Sequence, residues 1–91
     1  MSVLSSRNSG FKRSLKRRLF GNRDRVKCCF CRAGLNFHEA TLEHIKPLSF
    51  GGSWDRKNLT LSCADCNHAR GTEDFTAFQL RRRNGGKEQA A

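Results

Sequence analysis

The sequence is short of most of what a large apolar core is made from. Among its 91 residues there is no tyrosine, one tryptophan, one methionine and one proline. No apolar run is long enough to span a membrane, and the opening MSVLSSRNSGFKR has no apolar core of the length a secretory signal requires. No membrane-spanning segment is therefore expected, and the expected compartment is a reducing cytoplasm. Acidic residues are scarce as well: eight Asp and Glu stand against 18 Lys and Arg, a formal net charge of +10. Such a balance implies a polyanionic partner, because each phosphate neutralised releases condensed counterions. Charge alone does not separate DNA from RNA, or a phosphate-tracking surface from a solubilising basic tail.

A chain of this length has room for one small domain, and a domain this small usually needs a metal, disulfides or a partner to be stable. The five cysteines are the obvious source. Cys28 and Cys31 form one Cys-x-x-Cys, Cys63 and Cys66 form a second, and two such hooks a few tens of residues apart match a tetrahedral four-thiolate zinc site. In a reducing compartment paired hooks indicate metal rather than disulfides. Cys29 is left over and reads as a spare thiol beside the first hook, with a substitute ligand as the alternative.

Along the chain, residues 1–10 are Ser-rich, polar and without periodicity, and are expected to be flexible. Phe11, Leu15 and Leu19 then recur at helical spacing, with Lys12, Arg13, Lys16 and Arg17 largely on other faces. This predicts a basic amphipathic helix over 11–20 that packs its stripe on the zinc module and stops at Gly21 and Asn22. Nine Lys and Arg lie within residues 1–27 against the single acid Asp24, which reads as a phosphate-tracking arm; a solvated helix face is the bland alternative.

The first hook is a tight turn that Gly34 is expected to ease. Phe30 and Phe37 are read as core aromatics, since few other large side chains are present to bury, and His38 as a surface histidine. Thr41–Glu43 and Leu59–Leu61 predict the strands of a hairpin around a loop holding Pro47, Gly51 and Gly52, with Trp54 capping the core on its far side. A short helix over 64–70 ended by Gly71 follows, then a helix over 73–82 with Thr72 as N-cap and Phe75 and Phe78 facing inward. Residues 83–91 are polar and expected to be a flexible tail; Arg81, Arg82 and Arg83 are candidate phosphate contacts. No internal repeat or second domain is visible.

The richest stretch is TLEHIKPLSFGGSWDRKNLTLSCADCNHARG, residues 41–71. It places a carboxylate beside an imidazole (Glu43, His44), an amide after a glycine-bearing loop (Asn58) and a second amide just after the last hook (Asn67). Gathered beside a fixed metal clip, a carboxylate, an imidazole and an amide suit hydrolysis of a phosphodiester.

Taken together, Arg23-Asp24 ahead of Cys28-x-x-Cys31, then Leu42-Glu43-His44-Ile45-x-Pro47, Gly51-Gly52, Trp54, Asn58-Leu59, and Cys63-x-x-Cys66-Asn67 with Arg70-Gly71 resemble the HNH endonucleases, or ββα-metal nucleases, in their four-cysteine form. The resemblance runs from about Leu19 to Arg82. It implies a small zinc-stabilised α+β domain over 11–82, a ββα-metal core with an N-terminal basic helix and a C-terminal helix. It also implies a metal-dependent endonuclease that nicks or cuts double-stranded DNA, with His44 as general base and Glu43 and Asn67 as oxygen ligands of a catalytic Mg2+ or Mn2+. Asn58 would tie the loop between the strands and so hold His44. The family often has aspartate at position 43 and histidine at position 67, so this chain is an HNN form; family and size together imply a bacterial or phage-infected cell as its setting.

Two nearby residues remain open. Arg70 reads as a two-pronged phosphate grip, or as a surface arginine paired with Glu73 or Asp74. His68 touches phosphate or solvent, or replaces Asn67 at the metal; successive helical residues point about 100° apart, which disfavours the replacement.

Two other classes of function fit parts of the pattern. One is a non-catalytic zinc-ribbon-like nucleic-acid-binding module, which needs the four cysteines but not Glu43, His44, Asn58 and Asn67 together. The other is a nuclease subunit active only in a larger assembly, such as phage DNA packaging machinery or a mobile-element complex. No motif specifies an oligomeric state.

Overall fold

The computed structural model describes residues 9–85, with side chains through Arg83. The flexible termini expected over 1–10 and 83–91 lie for the most part outside those residues. The elements run α1 (Ser9–Phe20), β1 (Val26–Lys27), β2 (Gly34–Leu35), β3 (Ala40–His44), 3-10 turns at Leu48–Phe50 and Arg56–Asn58, β4 (Leu59–Cys63), α2 (Ala64–Arg70) and α3 (Phe75–Gly85). Three helices and two hairpins make the α+β architecture the sequence implies. No helix among the described residues is long and apolar enough to cross a membrane.

α1 begins two residues before the expected Phe11. It ends where Gly21, at φ 62°, turns left-handed and returns its N–H to Arg17 O at 3.1 Å. Arg23 covers the freed carbonyls, Nε to Phe20 O at 3.0 Å and Nη2 to Leu19 O at 2.6 Å. The stripe is not quite the expected one. Leu15 and Phe20 are buried and Leu19 packs against the core, while Phe11 is 39 % exposed and meets the Trp54 ring edge-on at 5.8 Å.

The first hook lies inside a small hairpin, in which Val26 pairs with Leu35 and Lys27 with Gly34. Gly34 does not make the turn. Arg32 does, at φ 70°, with its N–H on Cys28 O, because the knuckle needs one left-handed residue directly after Cys31 and Arg32 occupies that place.

β3 and β4 are antiparallel, with Ala40 opposite Cys63, Thr41 opposite Ser62, Leu42 opposite Leu61, Glu43 opposite Thr60 and His44 opposite Leu59. Strand alternation sorts these residues onto two faces. Thr41, Glu43 and Ser62 share one face, where they bond to one another and to α2. Ala40, Leu42 and His44 share the other, where they line a groove with α1.

Phe30, wholly buried, is the centre of the core. Phe78 stands edge-on to it at 4.8 Å and Phe75 leans on it at 5.1 Å, while Phe37 packs on Phe20 at 5.4 Å. Phe30, Phe37, Phe75 and Phe78 sit where the sequence reading places them. α2 runs over the expected 64–70 and ends at Gly71. α3 starts later than expected, and Asp74 rather than Thr72 caps it: Oδ2 accepts from Ala77 N at 3.0 Å. An ionised carboxylate is the stronger acceptor and complements the helix dipole. The helix runs past Arg82 to Gly85, and Gln79 ties it to the first hook through Cys29 O.

Candidate active site and metal clip

The Sγ atoms of Cys28, Cys31, Cys63 and Cys66 all lie within 4.8 Å of one another, and Cys31 Sγ is 3.9 Å from Cys63 Sγ. A tetrahedral zinc with bonds of about 2.3 Å has sulfur–sulfur edges near 3.8 Å, so the cluster fits that ion. The knuckle amides already point at sulfur: Phe30 N and Cys31 N at Cys28 Sγ, Cys66 N at Cys63 Sγ. Burial, reinforced by a hydrogen bond from Cys63 and the charge of Cys28, pushes the Cys66 thiol up to about 12, and burial pushes Cys63 up too. Four thiolates packed this closely need a cation among them. Cys29 stands outside the four. Arg82 donates from Nε to Cys66 Sγ at 3.4 Å and Arg81 pairs with Glu73 at 2.6 Å, so two of the three arginines suggested for phosphate are engaged within the protein.

At the opposite end of the hairpin Glu43, His44, Asn67 and Arg70 line one cleft of about 210 Å³, together with Leu48, Ser49 and Thr72. Glu43 is buried, 3 % exposed. Its Oε1 accepts from Ser62 Oγ at 3.0 Å and its Oε2 from Arg70 Nη1 at 2.6 Å. Burial pushes its carboxyl upward, and Arg70 and Ser62 oppose that. Asn67 donates from Nδ2 to Thr41 Oγ1 at 3.0 Å and to Leu42 O at 3.4 Å. Thr41 Oγ1 lies 3.2 Å from Ser62 Oγ. Asn67, Thr41, Ser62, Glu43 and Arg70 thus form one continuous polar chain between β3, β4 and α2.

This donor set fits a hard divalent cation. Both Asn67 bonds leave from nitrogen, which leaves Oδ1 as an oxygen donor, and an ionised carboxylate has about four acceptor sites, of which Glu43 uses two.

His44 leaves the strand on the other face. Its ring stands edge-on to Trp54 at 4.5 Å, and Nε2 is buried with no hydrogen bond among the described residues. Burial, then the charges of Lys12 and Arg70, hold its pKa below the ordinary value, so the neutral imidazole is favoured. It also borders a larger groove of about 690 Å³ walled by Lys12 and Arg13 of α1 and by Leu42, Leu48 and Trp54. Trp54 is therefore a wall of the site and not a cap on the core's far side.

Asn58 lies outside the cleft and bridges the two arms of the loop. Its Oδ1 accepts from Lys46 N at 2.8 Å, and its Nδ2 donates to Lys46 O at 3.0 Å and Ser53 O at 2.9 Å. The loop is drawn so tight that a Cβ at Gly52 would overlap the Lys46 carbonyl.

The candidate nucleic-acid contacts divide. Lys12 and Arg13 are exposed along the groove, and Arg17 is exposed with its guanidinium 4.1 Å from the Phe37 ring centroid. Lys16 instead donates to Phe37 O at 2.8 Å and Ala40 O at 2.9 Å, pinning α1 to β3. His68 is exposed on α2 and does not line the cleft. Arg70 is 3 % exposed and turned inward, away from the surface on which a phosphate grip would need it. The sequence reading missed Thr41 and Ser62. Their signal was a pair of hydroxyls placed to face each other across the hairpin, on the same side as Glu43.

A protein-family model described as HNH endonuclease matches residues 28–79, more than half of the chain and including β3, β4 and α2. No curated protein matches the sequence.

Proposed function

The chain belongs to the HNH endonuclease family, and on that premise we propose that it is a metal-dependent DNA endonuclease with His44 as general base and Glu43 and Asn67 as the protein ligands of a Mg2+ or Mn2+ ion. The observation that supports this reading is that Glu43, His44 and Asn67 all border one cleft, at the end of the hairpin opposite the cysteine cluster. Zinc at Cys28, Cys31, Cys63 and Cys66 serves the fold.

In-line displacement at phosphorus sets the attacking and departing oxygens on opposite sides of the phosphate. Adjacent strand residues point to opposite faces, which supports His44 acting from the side of the α1 groove and Glu43 with Asn67 from the side of α2. Neutral His44 has a ring nitrogen to accept the proton of an attacking water. When bound, the cation supplies positive charge to the phosphate and the departing 3′ oxygen, and the ends left are 5′-phosphate and 3′-hydroxyl. Asn58, by clamping Lys46, holds the loop that follows His44. Lys12, Arg13 and Arg17 on α1 and His68 on α2 are exposed and able to meet DNA phosphates, and the net charge of +10 favours their doing so. A four-thiolate zinc site of this kind fits a reducing cytoplasm.

Supercoiled plasmid incubated with the zinc-loaded protein is expected to be nicked or linearised when Mg2+ or Mn2+ is added and to stay intact in chelator. Asn67→Ala is expected to raise the Mn2+ concentration needed about tenfold or more. Absence of cleavage with any divalent ion, while salt-sensitive DNA binding persists, would favour the non-catalytic binding module.

A further inference from the structure

Arg70 makes more directed bonds at the cleft than any of the residues the proposed reaction uses. Four of the five N–H groups of its guanidinium are engaged: Nε on Glu73 O at 2.7 Å, Nη1 on Glu43 Oε2 at 2.6 Å and on His44 O at 2.7 Å, and Nη2 on Ile45 O at 2.8 Å. The pair of carbonyls is informative. Consecutive carbonyls of a regular strand point to opposite edges, so two of them can meet one guanidinium only where the strand has turned. That turn falls directly after His44, ahead of Pro47, and the planar fork of Arg70 fills it. The same side chain lies against the Phe75 ring, 5.4 Å from its centroid, and through Glu73 O it joins the end of α2 to the start of α3.

We propose that Arg70 is the positioning residue of the cleft: it fixes the backbone that carries His44 and holds one oxygen of Glu43, so that a divalent cation at Glu43 shares the carboxylate with a resident positive charge. This rests on the ligand role proposed for Glu43. Two consequences follow, with opposite signs. The guanidinium lowers the affinity of the site for the cation, because two positive charges a few ångströms apart repel through a poorly screened interior. It also raises the rate of the chemical step, because a general base displaced by about 1 Å loses most of its effect. A merely structural arginine would not separate metal affinity from turnover in this way. Lysine cannot replace it, since one ammonium cannot span the carboxylate and three carbonyls.

The test titrates Mn2+ alone into zinc-loaded, DNA-free protein by calorimetry and, on the same preparations, follows plasmid cleavage at saturating Mn2+. Arg70→Gln is expected to bind Mn2+ about tenfold more tightly and to cut at least about 30-fold more slowly, with KM for DNA within about threefold. Arg70→Lys keeps the charge and loses the fork, so its Mn2+ affinity stays within about threefold of wild type while kcat still falls about 30-fold. Zinc stoichiometry reports folding. Should Arg70→Gln lose its zinc, Arg70→Lys alone decides. Cleavage by Arg70→Lys at the wild-type rate, or Mn2+ binding by a folded Arg70→Gln no tighter than wild type, overturns the inference. The expected order of Mn2+ affinities in a protein that never cuts would leave the positioning role standing and remove the nuclease reading; cleavage by wild type with Arg70→Lys unimpaired would do the reverse.

Discussion

The two ends of the β3–β4 hairpin are held by different chemistry. At one end Ala40 pairs with Cys63, whose thiol belongs to the four-sulfur cluster beside Phe30 and Phe78. At the other His44 pairs with Leu59, and what holds the chain there is a set of directed hydrogen bonds made by the side chains of Asn58 and Arg70. Burial of aromatic surface, and a metal ion held by the four cysteines, would stabilise the whole domain and tolerate small displacements. Hydrogen bonds to individual carbonyls contribute less to stability, yet they decide where an imidazole or a carboxylate points. The fold and the proposed chemistry should therefore fail separately.

Removing the metal is the harshest way to test that separation. Chelation of zinc, or Cys66→Ser, is expected to abolish folding, since a domain of this size has little core beyond Phe20, Phe30, Leu35, Leu61 and Phe78. Circular dichroism and bound-zinc analysis would show helix and metal lost together. A hairpin that stays folded without zinc would break the comparison at its first step.

Asn58→Ala sharpens the comparison from the other end. Three hydrogen bonds are lost, so the expected destabilisation is about 1–3 kcal/mol, with zinc retained and cleavage down about 10–100-fold. Thermal melts and single-turnover rates on one preparation would show whether activity falls far more than stability.

Acid separates the two ends more gently. His44 must be neutral to accept a proton, and burial, Lys12 and Arg70 all favour that form. Its pKa is thus depressed, so the acidic limb of the cleavage rate should fall below the ordinary histidine value of about 6.5. A pH–rate profile under saturating metal measures the limb; its appearance above that value would contradict the buried environment of the ring.

Lys12→Gln should have the smallest effect. It removes one exposed cation on α1, outside the segment that the family model matches, so DNA binding should weaken evenly across sequences and the salt slope should fall by about 1. Fluorescence anisotropy across a salt series gives the slope.

How far these two ends were legible in the sequence follows from the same contrast. The cysteine end was readable because its information is local: two Cys-x-x-Cys hooks, and Phe30, Phe75 and Phe78 as the large side chains available to bury beside them. The hairpin and the short helix after Cys63 were readable for similar reasons. The loop clamp at Asn58 was anticipated only through the family pattern, since an asparagine after a glycine-bearing loop has no unique partner by itself.

What could not be read was which way a polar side chain turns once the elements pack. Arg70 and Lys16 look like surface cations in the sequence, yet one meets three carbonyls and a carboxylate and the other two carbonyls. All of those acceptors but Glu73 O are supplied 21 to 27 residues away, by β3 and the residues on either side of it. Trp54 went to His44 rather than to the far side of the core for the same reason: the loop's path was set by Asn58 and Gly52, not by apolar spacing. Arg32 took the turn expected of Gly34 because the knuckle's geometry outweighs the intrinsic preference of one residue.

The central claim is that His44 supplies the chemistry while the zinc end supplies the fold. Its most direct test is the cleavage of supercoiled plasmid by wild type and His44→Ala, each zinc-loaded and under saturating Mn2+, with zinc content and DNA affinity measured on the same samples. Metal-dependent cleavage by wild type, slower in His44→Ala by about 10²–10⁴-fold at equal zinc content and equal DNA affinity, is the predicted result. Cleavage by His44→Ala at the wild-type rate would contradict it.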